Sequence, residues 1–174
     1  MASVVITAIG DDRSGLVESL SGAIAEHGGN WDRSHMAELA GKFAGIVLVT
    51  VPDANLNALT AALQSVDAEG KLTLTIEHAR SETETETTTS LAVTLVGQDH
   101  PGIVHDISRA LASRRVSIDE LETEVVPAPM GGHLFRAIAT IEAPAGESLD
   151  ELQEALEAVA SDLMVDIDVT GAPD

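Results

Sequence analysis

The pattern of apolar positions along this chain occurs twice. Residues 4–31 align without a gap on residues 91–118. After a short break in register the match resumes, and it continues as far as residues 72–76 and 165–169. A match that follows the apolar pattern to its end predicts a duplicated domain.

Each copy has the periodicity of a strand, a helix, two strands, a helix and a strand. Apolar residues recur every three or four positions in the helical segments, whereas the last strand of each copy alternates between apolar and polar residues. Glycines at 41 and at 131–132 mark the hairpin turns. The other strands are predicted at 3–9, 30–39 and 42–52 in the first copy and at 90–96, 117–127 and 132–142 in the second.

This βαββαβ order predicts the α+β class. We expect two ferredoxin-like domains in tandem, each an antiparallel four-stranded sheet with both helices on one face. The first domain is predicted at residues 1–80 and the second at 91–174. Residues 81–90, SETETETTTS, contain no apolar residue, which predicts a polar linker between the domains. Their alternating Thr residues leave the extension of a strand as the alternative.

The chain is strongly acidic, with 29 acidic and 9 basic residues and a net charge of −20. Binding a nucleic-acid backbone needs clustered Lys and Arg, and the only adjacent basic pair is Arg114–Arg115, so we expect no direct nucleic-acid binding. The acidic surface is interpreted as a solvated surface, with docking on a basic partner as the alternative. Because no apolar run is long enough to span a membrane and Met1 is not followed by a leader, we expect a cytoplasmic protein with no membrane partner.

The candidate chemistry lies in two glycine-flanked turns, each between a first strand and a first helix. Unpaired N–H groups and the positive end of the helix dipole favour a carboxylate there, and a neighbouring Asp can accept from an ammonium group. Together these groups are typical of a site for a free amino acid. Helix capping by Asp or Ser is the alternative. The turns are Gly10, Asp11, Asp12, Arg13, Ser14 and Gly15, and Gly97, Gln98, Asp99, His100, Pro101 and Gly102.

With these turns the chain resembles the ACT domain family, small ligand-binding modules of amino-acid metabolism. The resemblance is carried by both turns and by Leu16-Val17, Ile103-Val104, Asn30-Trp31 and Ser117-Ile118, and it covers nearly the whole chain. It implies an amino acid held where two ACT domains meet, by the turn and by the start of the second strand. The implied ligand-binding residues are Gly10, Asp11, Asp12, Arg13, Ser14, Gly15, Leu16 and Asn30, and Gly97, Gln98, Asp99, His100, Gly102, Ile103 and Ser117.

The two copies differ at the start of the second strand. The amide of Asn30 can both donate and accept, whereas Ser117 offers a hydroxyl, so we expect the first copy to hold the better site. Amino-acid-binding members of the family often carry Asn where Asp12 and Asp99 stand, which leaves the identity of the ligand open.

No pattern indicates catalysis or a metal. The six histidines have no three- or four-residue spacing of the kind that places two ligands on one helix face. The motifs of nucleophilic hydrolases, phosphate-binding loops and dinucleotide-binding folds are absent from the sequence. We therefore expect no cofactor, no metal and no enzymatic activity.

The resemblance then implies a non-catalytic regulatory protein. We expect it to sense a small amino acid, of the glycine or serine type, at an ACT domain interface and to modulate a protein partner. A DNA-binding regulator is the expected partner, which places the chain in transcriptional control of amino-acid metabolism. A regulatory subunit of an amino-acid enzyme is the alternative. The edge strand of each sheet favours a homo-oligomer.

Overall fold

The computed structural model describes residues 1–68, 70, 72–79, 88–129 and 131–171, which belong to two compact units, 1–82 and 83–174. In unit 1 the elements are β1 (Ala2–Asp11), α1 (Leu16–Glu26), β2 (Asn30–Leu39), β3 (Lys42–Val51), α2 (Leu56–Ala68) and β4 (Thr73–His78), with a 3-10 turn at Asp53–Asn55 before α2. In unit 2 they are β5 (Thr88–Gln98), α3 (Ile103–Ser113), β6 (Ser117–Pro127), β7 (His133–Pro144), α4 (Leu149–Leu163) and β8 (Val165–Gly171).

Both sheets have the same topology. The strand order is β2-β3-β1-β4 in unit 1 and β6-β7-β5-β8 in unit 2, and all neighbouring strands are antiparallel. The predicted α+β class and the ferredoxin-like order of each unit are thereby confirmed.

Each unit has its own apolar core between the sheet and its two helices. In β1 the buried residues alternate, at Val4, Ile6 and Ala8, and they pack with Leu20 of α1 and Leu63 of α2. Unit 2 repeats this arrangement with Leu91, Val93 and Leu95 of β5, Ile107 of α3 and Leu156 of α4. The alternate residues of β1, such as Thr7 and Ile9, are exposed on the sheet face that points away from the helices of their own unit.

Strands β1 and β5 are longer than the sequence predicts. Gly10 and Asp11 are the last residues of β1 and Gly97 and Gln98 the last of β5, so the first two positions of each predicted turn are strand. At the other end, β5 begins at Thr88, within the predicted linker. For residues 88–90 the strand-extension alternative is therefore correct, and residues 81–87 lie outside the described part of the chain.

Candidate ligand site at the strand-to-helix turns

The two turns share one backbone geometry. Gly15 and Gly102 are the N-cap residues of α1 and α3, with φ of 90° and 100°, and no side chain caps either helix. The alternative interpretation, in which Asp12, Ser14 or Asp99 caps a helix, is therefore wrong. Glycine is required because other residues are strained at positive φ. The N–H groups of each first helical turn are left without a side-chain partner, as an anion site requires.

Backbone hydrogen bonds tie each turn to a neighbouring hairpin. The N–H of Asp12 donates to the carbonyl oxygen of Gly41 at 2.9 Å, and the N–H of Asp99 donates to that of His133 at 3.0 Å. Ala40 and Gly41, with φ of 53° and 78°, form the two-residue loop between β2 and β3. Positive φ at both positions is typical of the tight turn that joins paired strands. The aspartate backbones are thus held while their side chains stay exposed.

Arg13 and His100 occupy equivalent positions and make equivalent contacts. The Nη2 of Arg13 donates to the carbonyl oxygen of Gly70, 3.2 Å away and just beyond α2. In unit 2 the Nε2 of His100 donates over 3.2 Å to the carbonyl oxygen of Leu163, the last residue of α4. Both side chains therefore connect the turn to the end of the second helix, where a dipole favours cationic donors.

Asp11 forms an ion pair with Lys42, which lies directly opposite on β3. The hydrogen bond and the positive charge of Lys42 hold the pKa of the Asp11 carboxyl below its ordinary value of 3.8, and the charge of Arg13 adds to this effect. In unit 2 the equivalent register pairs Gln98 with Leu134, so no ion pair forms there. The electrostatics of the two turns differ at this point.

Two of the predicted ligand residues contribute only backbone to the turns. The side chains of Leu16 and Ile103, 3% and 2% exposed, belong to the cores, so only their N–H groups could reach a ligand. The described residues also place a carboxylate next to each glycine. A Cβ built on Gly15 would lie 3.7 Å from Oε2 of Glu18, and one on Gly102 would lie 3.7 Å from Oδ2 of Asp106. These carboxylates compete with any anion that approaches the helix start.

Asn30 does not lie beside the turn of its own unit. It pairs with Thr50, which pairs with Ser3, whereas the turn follows Gly10 at the other end of β1. Ser3, which lies level with Asn30 in the sheet, and Gly10 are seven residues apart on β1, which is about 23 Å at about 3.3 Å per residue. The expectation that Asn30 backs the Asp12 turn within one copy is therefore wrong.

The register of unit 2 separates its predicted residues in the same way. Ser117 pairs with Glu142, which pairs with Ser90, seven residues along β5 from Gly97. Asn30 itself donates from Nδ2 to the carboxylate of Asp32, which also accepts from the hydroxyl of Thr50 at 3.4 Å. One small amino acid therefore does not reach both the turn and the start of the second strand of the same unit.

The family assignment rests on matches to both units. Residues 2–77 match one family model described as an ACT domain, and residues 91–159 match a second model with the same description. The chain belongs to the ACT domain family.

Several relatives match along most of the chain. The glycine cleavage system transcriptional repressor of Escherichia coli strain K12 is 24% identical over 162 residues, which cover 92% of this chain and 85% of the relative. A solved structure of an unknown protein from Galdieria sulphuraria is 33% identical with a TM-score of 0.87 and covers 99% of both chains. A structure assigned to a glycine cleavage system transcriptional repressor has 18% identity and a TM-score of 0.75 over 99% of this chain and 98% of its own, which shows the shared fold. The pattern of both turns predicts a resemblance to the glycine cleavage system transcriptional repressor, and the match along 92% of this chain confirms it.

Neither a membrane-spanning helix nor a metal-binding group occurs in the described ranges. None of the helices there is long and apolar enough to cross a membrane, and no three His, Asp or Glu side chains come together as ligands.

Sequence reasoning missed the carboxylates of Glu18 and Asp106 beside the helix starts. The position of Glu18 in the first turn of α1 is a signal that could have found it, since acidic residues favour that place.

Proposed function

We propose that this ACT domain protein is a non-catalytic regulator that binds a small amino acid at its strand-to-helix turns and modulates a protein partner. The observation that carries the proposal is the repeated turn, in which a glycine at positive φ leaves the start of a helix without a side-chain cap. A helix that is capped by a side chain has Ser, Thr, Asp or Asn at its N-cap position. Here both N-cap residues are glycine and both helix starts are uncapped, so capping does not explain the repeated turn. A ligand carboxylate would accept from the N–H groups of the first helical turn.

Asp12 supplies the second half of the proposed site. Its side chain is exposed while its backbone is held by Gly41, so the carboxylate is free of the turn's own hydrogen bonds. It would accept from the ligand ammonium group while the helix start holds the carboxylate. The carboxylate of Glu18 repels ligands that carry only negative charge, so it favours a zwitterion. We propose glycine or serine because the matched relative is a glycine cleavage system transcriptional repressor.

The start of a second strand from another ACT domain would complete the site. Asn30 and Ser117 are both exposed, and each lies far from the turn of its own unit. We infer that ligand binding favours one arrangement of paired ACT domains, which is a population shift. An oligomer of the chain is one way to supply such pairs.

The proposed setting is transcriptional control of amino-acid metabolism. Its support is the match to a glycine cleavage system transcriptional repressor along 92% of the chain. Because the net charge is −20, an effect on transcription would act through a DNA-binding partner and not through direct contact with DNA.

The test is a thermal-shift screen of the twenty amino acids, followed by calorimetry on each hit. A ligand that binds the folded state raises the melting temperature as its concentration rises. We expect glycine or serine to bind, Asp12→Ala to weaken binding at least tenfold, and Glu18→Gln to strengthen it. Failure of all twenty amino acids to bind would overturn the proposal. Stoichiometric capture of an amino-acid enzyme, with no regulator of transcription, would instead favour the regulatory-subunit alternative.

A further inference from the structure

The sheet of unit 1 carries exposed apolar side chains on the face that points away from its own helices. Ile9 and Ile46, on the two central strands of this sheet, are 53% and 49% exposed. Because apolar surface in water is unfavourable, a group of this kind favours contact with another apolar surface. The open face of unit 1 is defined here by Val5, Thr7 and Ile9 of β1, Ala44, Ile46 and Leu48 of β3, Arg33 of β2 and Glu77 of β4.

One row of residues crosses the open face of unit 1 from edge to edge. Arg33, on the edge strand β2, pairs with Leu48. Leu48 pairs with Val5, which in turn pairs with Glu77 on the other edge strand, β4. Arg33 and Glu77 are both exposed, and neither forms an ion pair within the described ranges. The row therefore has a positive charge at one edge, a negative charge at the other and two apolar residues between them.

This row is complementary to a second copy of itself. When two sheets stack, their strands run within about 30° of each other. A two-fold axis between the sheets and along the strands places the β2 edge of one copy over the β4 edge of the other. Arg33 then lies opposite Glu77 of the second copy, and the symmetry repeats this ion pair at the other edge. Stacked sheets are about 10 Å apart, a gap that an Arg and a Glu side chain bridge together.

The same two-fold axis places large side chains over small ones. Strand β3 of one copy then lies over β1 of the other, and residues that pair within the sheet lie opposite each other between the copies. Because Ile46 pairs with Thr7, each Ile46 lies over a threonine. Because Ile9 pairs with Ala44, each Ile9 lies over an alanine. The exposed isoleucines thus have room to pack, and they form an apolar centre with a charged rim, as protein interfaces have.

The sheet of unit 2 lacks this complementarity. Its central row begins at Glu122 on the edge strand β6 and passes through Ile138 and Thr94. It ends at Asp168 on the other edge strand, β8. Since both edges are acidic, the same two-fold axis would place like charges opposite each other, which is unfavourable.

The distribution of charge along the chain also favours unit 1. Residues 1–80 contain ten acidic and five basic residues, whereas residues 91–174 contain sixteen acidic and four basic residues. Two copies that meet through unit 1 therefore experience weaker charge repulsion at the contact than two copies that meet through unit 2.

We propose that the open face of unit 1 is the surface through which two copies of this chain associate, as a symmetric pair of stacked sheets. The apolar centre supplies most of the attraction, and the two Arg33–Glu77 ion pairs fix the orientation. The hydrogen-bonding groups at the edges of β2 and β4 take no part in this contact, unlike in the side-by-side pairing of edge strands. Association through this face needs no bound amino acid, so its test is separate from that of the proposed function.

Analytical ultracentrifugation of the full chain over a series of concentrations tests the proposal. We expect a reversible dimer. Arg33→Glu and Glu77→Arg should each weaken dimer formation at least tenfold, because each change replaces two attractive pairs with two repulsive ones. Both positions are exposed, so circular dichroism should show that each variant keeps its fold.

Combining the two charge reversals tests the symmetry. The double variant Arg33→Glu with Glu77→Arg has both ion pairs with their charges exchanged, so it should recover most of the lost affinity. An equimolar mixture of the two single variants should form a heterodimer, because an acidic row then faces a basic one. If neither the double variant nor the mixture recovers the dimer, the two-fold arrangement is wrong.

A matched pair of variants tests which unit carries the contact. Ile46→Glu places a charge in the apolar centre and should abolish the dimer. Ile138→Glu makes the same change at an exposed isoleucine of unit 2 and should leave the dimer unchanged. A chain that remains monomeric throughout the series, a dimer that persists in Ile46→Glu, or equal loss in Ile138→Glu would each overturn the proposal.

Discussion

Turn 1, residues 10–15, and turn 2, residues 97–102, have the same backbone and different side chains. Each places a glycine with positive φ before a helix, and each connects to the end of its second helix through a nitrogen donor. The donor is Arg13, which is always charged, in turn 1 and His100, which can donate without a charge, in turn 2. The duplicated fold preserves the hydrogen bond to the end of the second helix, while the side chain that donates it varies.

The charges around the turns differ more than the turns themselves. Asp11 is paired with Lys42 in unit 1, whereas Gln98 faces Leu134 in unit 2. The two turns are therefore alike in shape and unlike in electrostatic surroundings.

The largest effect should come from alanine at the cap glycines. Gly15→Ala and Gly102→Ala would force a Cβ into the left-handed region, at a cost of about 1–2 kcal/mol each. Since both glycines have similar φ and no close backbone neighbour, we expect the two costs to be equal. Hydrogen exchange resolved to each unit measures them, with the fluorescence of Trp31 as a second reporter for unit 1.

Gly22→Ala is the control for this pair. Gly22 lies inside α1 with open space around it, so alanine should stabilise unit 1 there by about 0.5–1 kcal/mol. Unequal costs at Gly15 and Gly102, or no cost at either, would contradict the shared backbone geometry of the turns.

The repeat and its periodicity predict the elements because they are local properties of the chain. The stripe of Leu152, Leu156 and Leu163 identifies α4, and the glycine pairs identify the turns, without knowledge of any distant contact. The sequence does not reveal which end of the sheet holds Asn30, because that depends on the register of β2 on β3 and of β3 on β1. The hydrogen bond between Arg13 and Gly70 joins residues 57 positions apart, so the local pattern of the sequence does not predict it either.

A smaller effect is expected from removing the donors that hold the turns. His100→Ala should destabilise unit 2 by about 0.5–1.5 kcal/mol, the usual net contribution of a hydrogen bond. Arg13→Ala should destabilise unit 1 by less, because its hydrogen bond is exposed while that of His100 is partly buried. Urea denaturation followed by unit-resolved hydrogen exchange measures both.

Variants that exchange the two donors test whether any nitrogen donor at this position stabilises the turn. Arg13→His and His100→Arg keep a nitrogen donor at each position, so both should retain more stability than the alanine variants. If His100→Ala leaves unit 2 as stable as the unaltered chain, the contact with Leu163 does not hold the turn.

The smallest effect concerns the ion pair that only turn 1 carries. Because Lys42 holds the pKa of Asp11 below 3.8, the charged carboxylate stabilises unit 1 above that pH, and the stabilisation is lost as pH falls through the lowered pKa. An NMR titration of the Asp11 carboxyl carbon should give a midpoint below 3.8, and Lys42→Ala should raise it towards 3.8. Gln98, its counterpart in turn 2, has no proton to lose in this range, so unit 2 lacks this source of acid sensitivity. An Asp11 midpoint that does not move in Lys42→Ala would show that the ion pair does not persist in solution, and the two turns would then differ in composition alone.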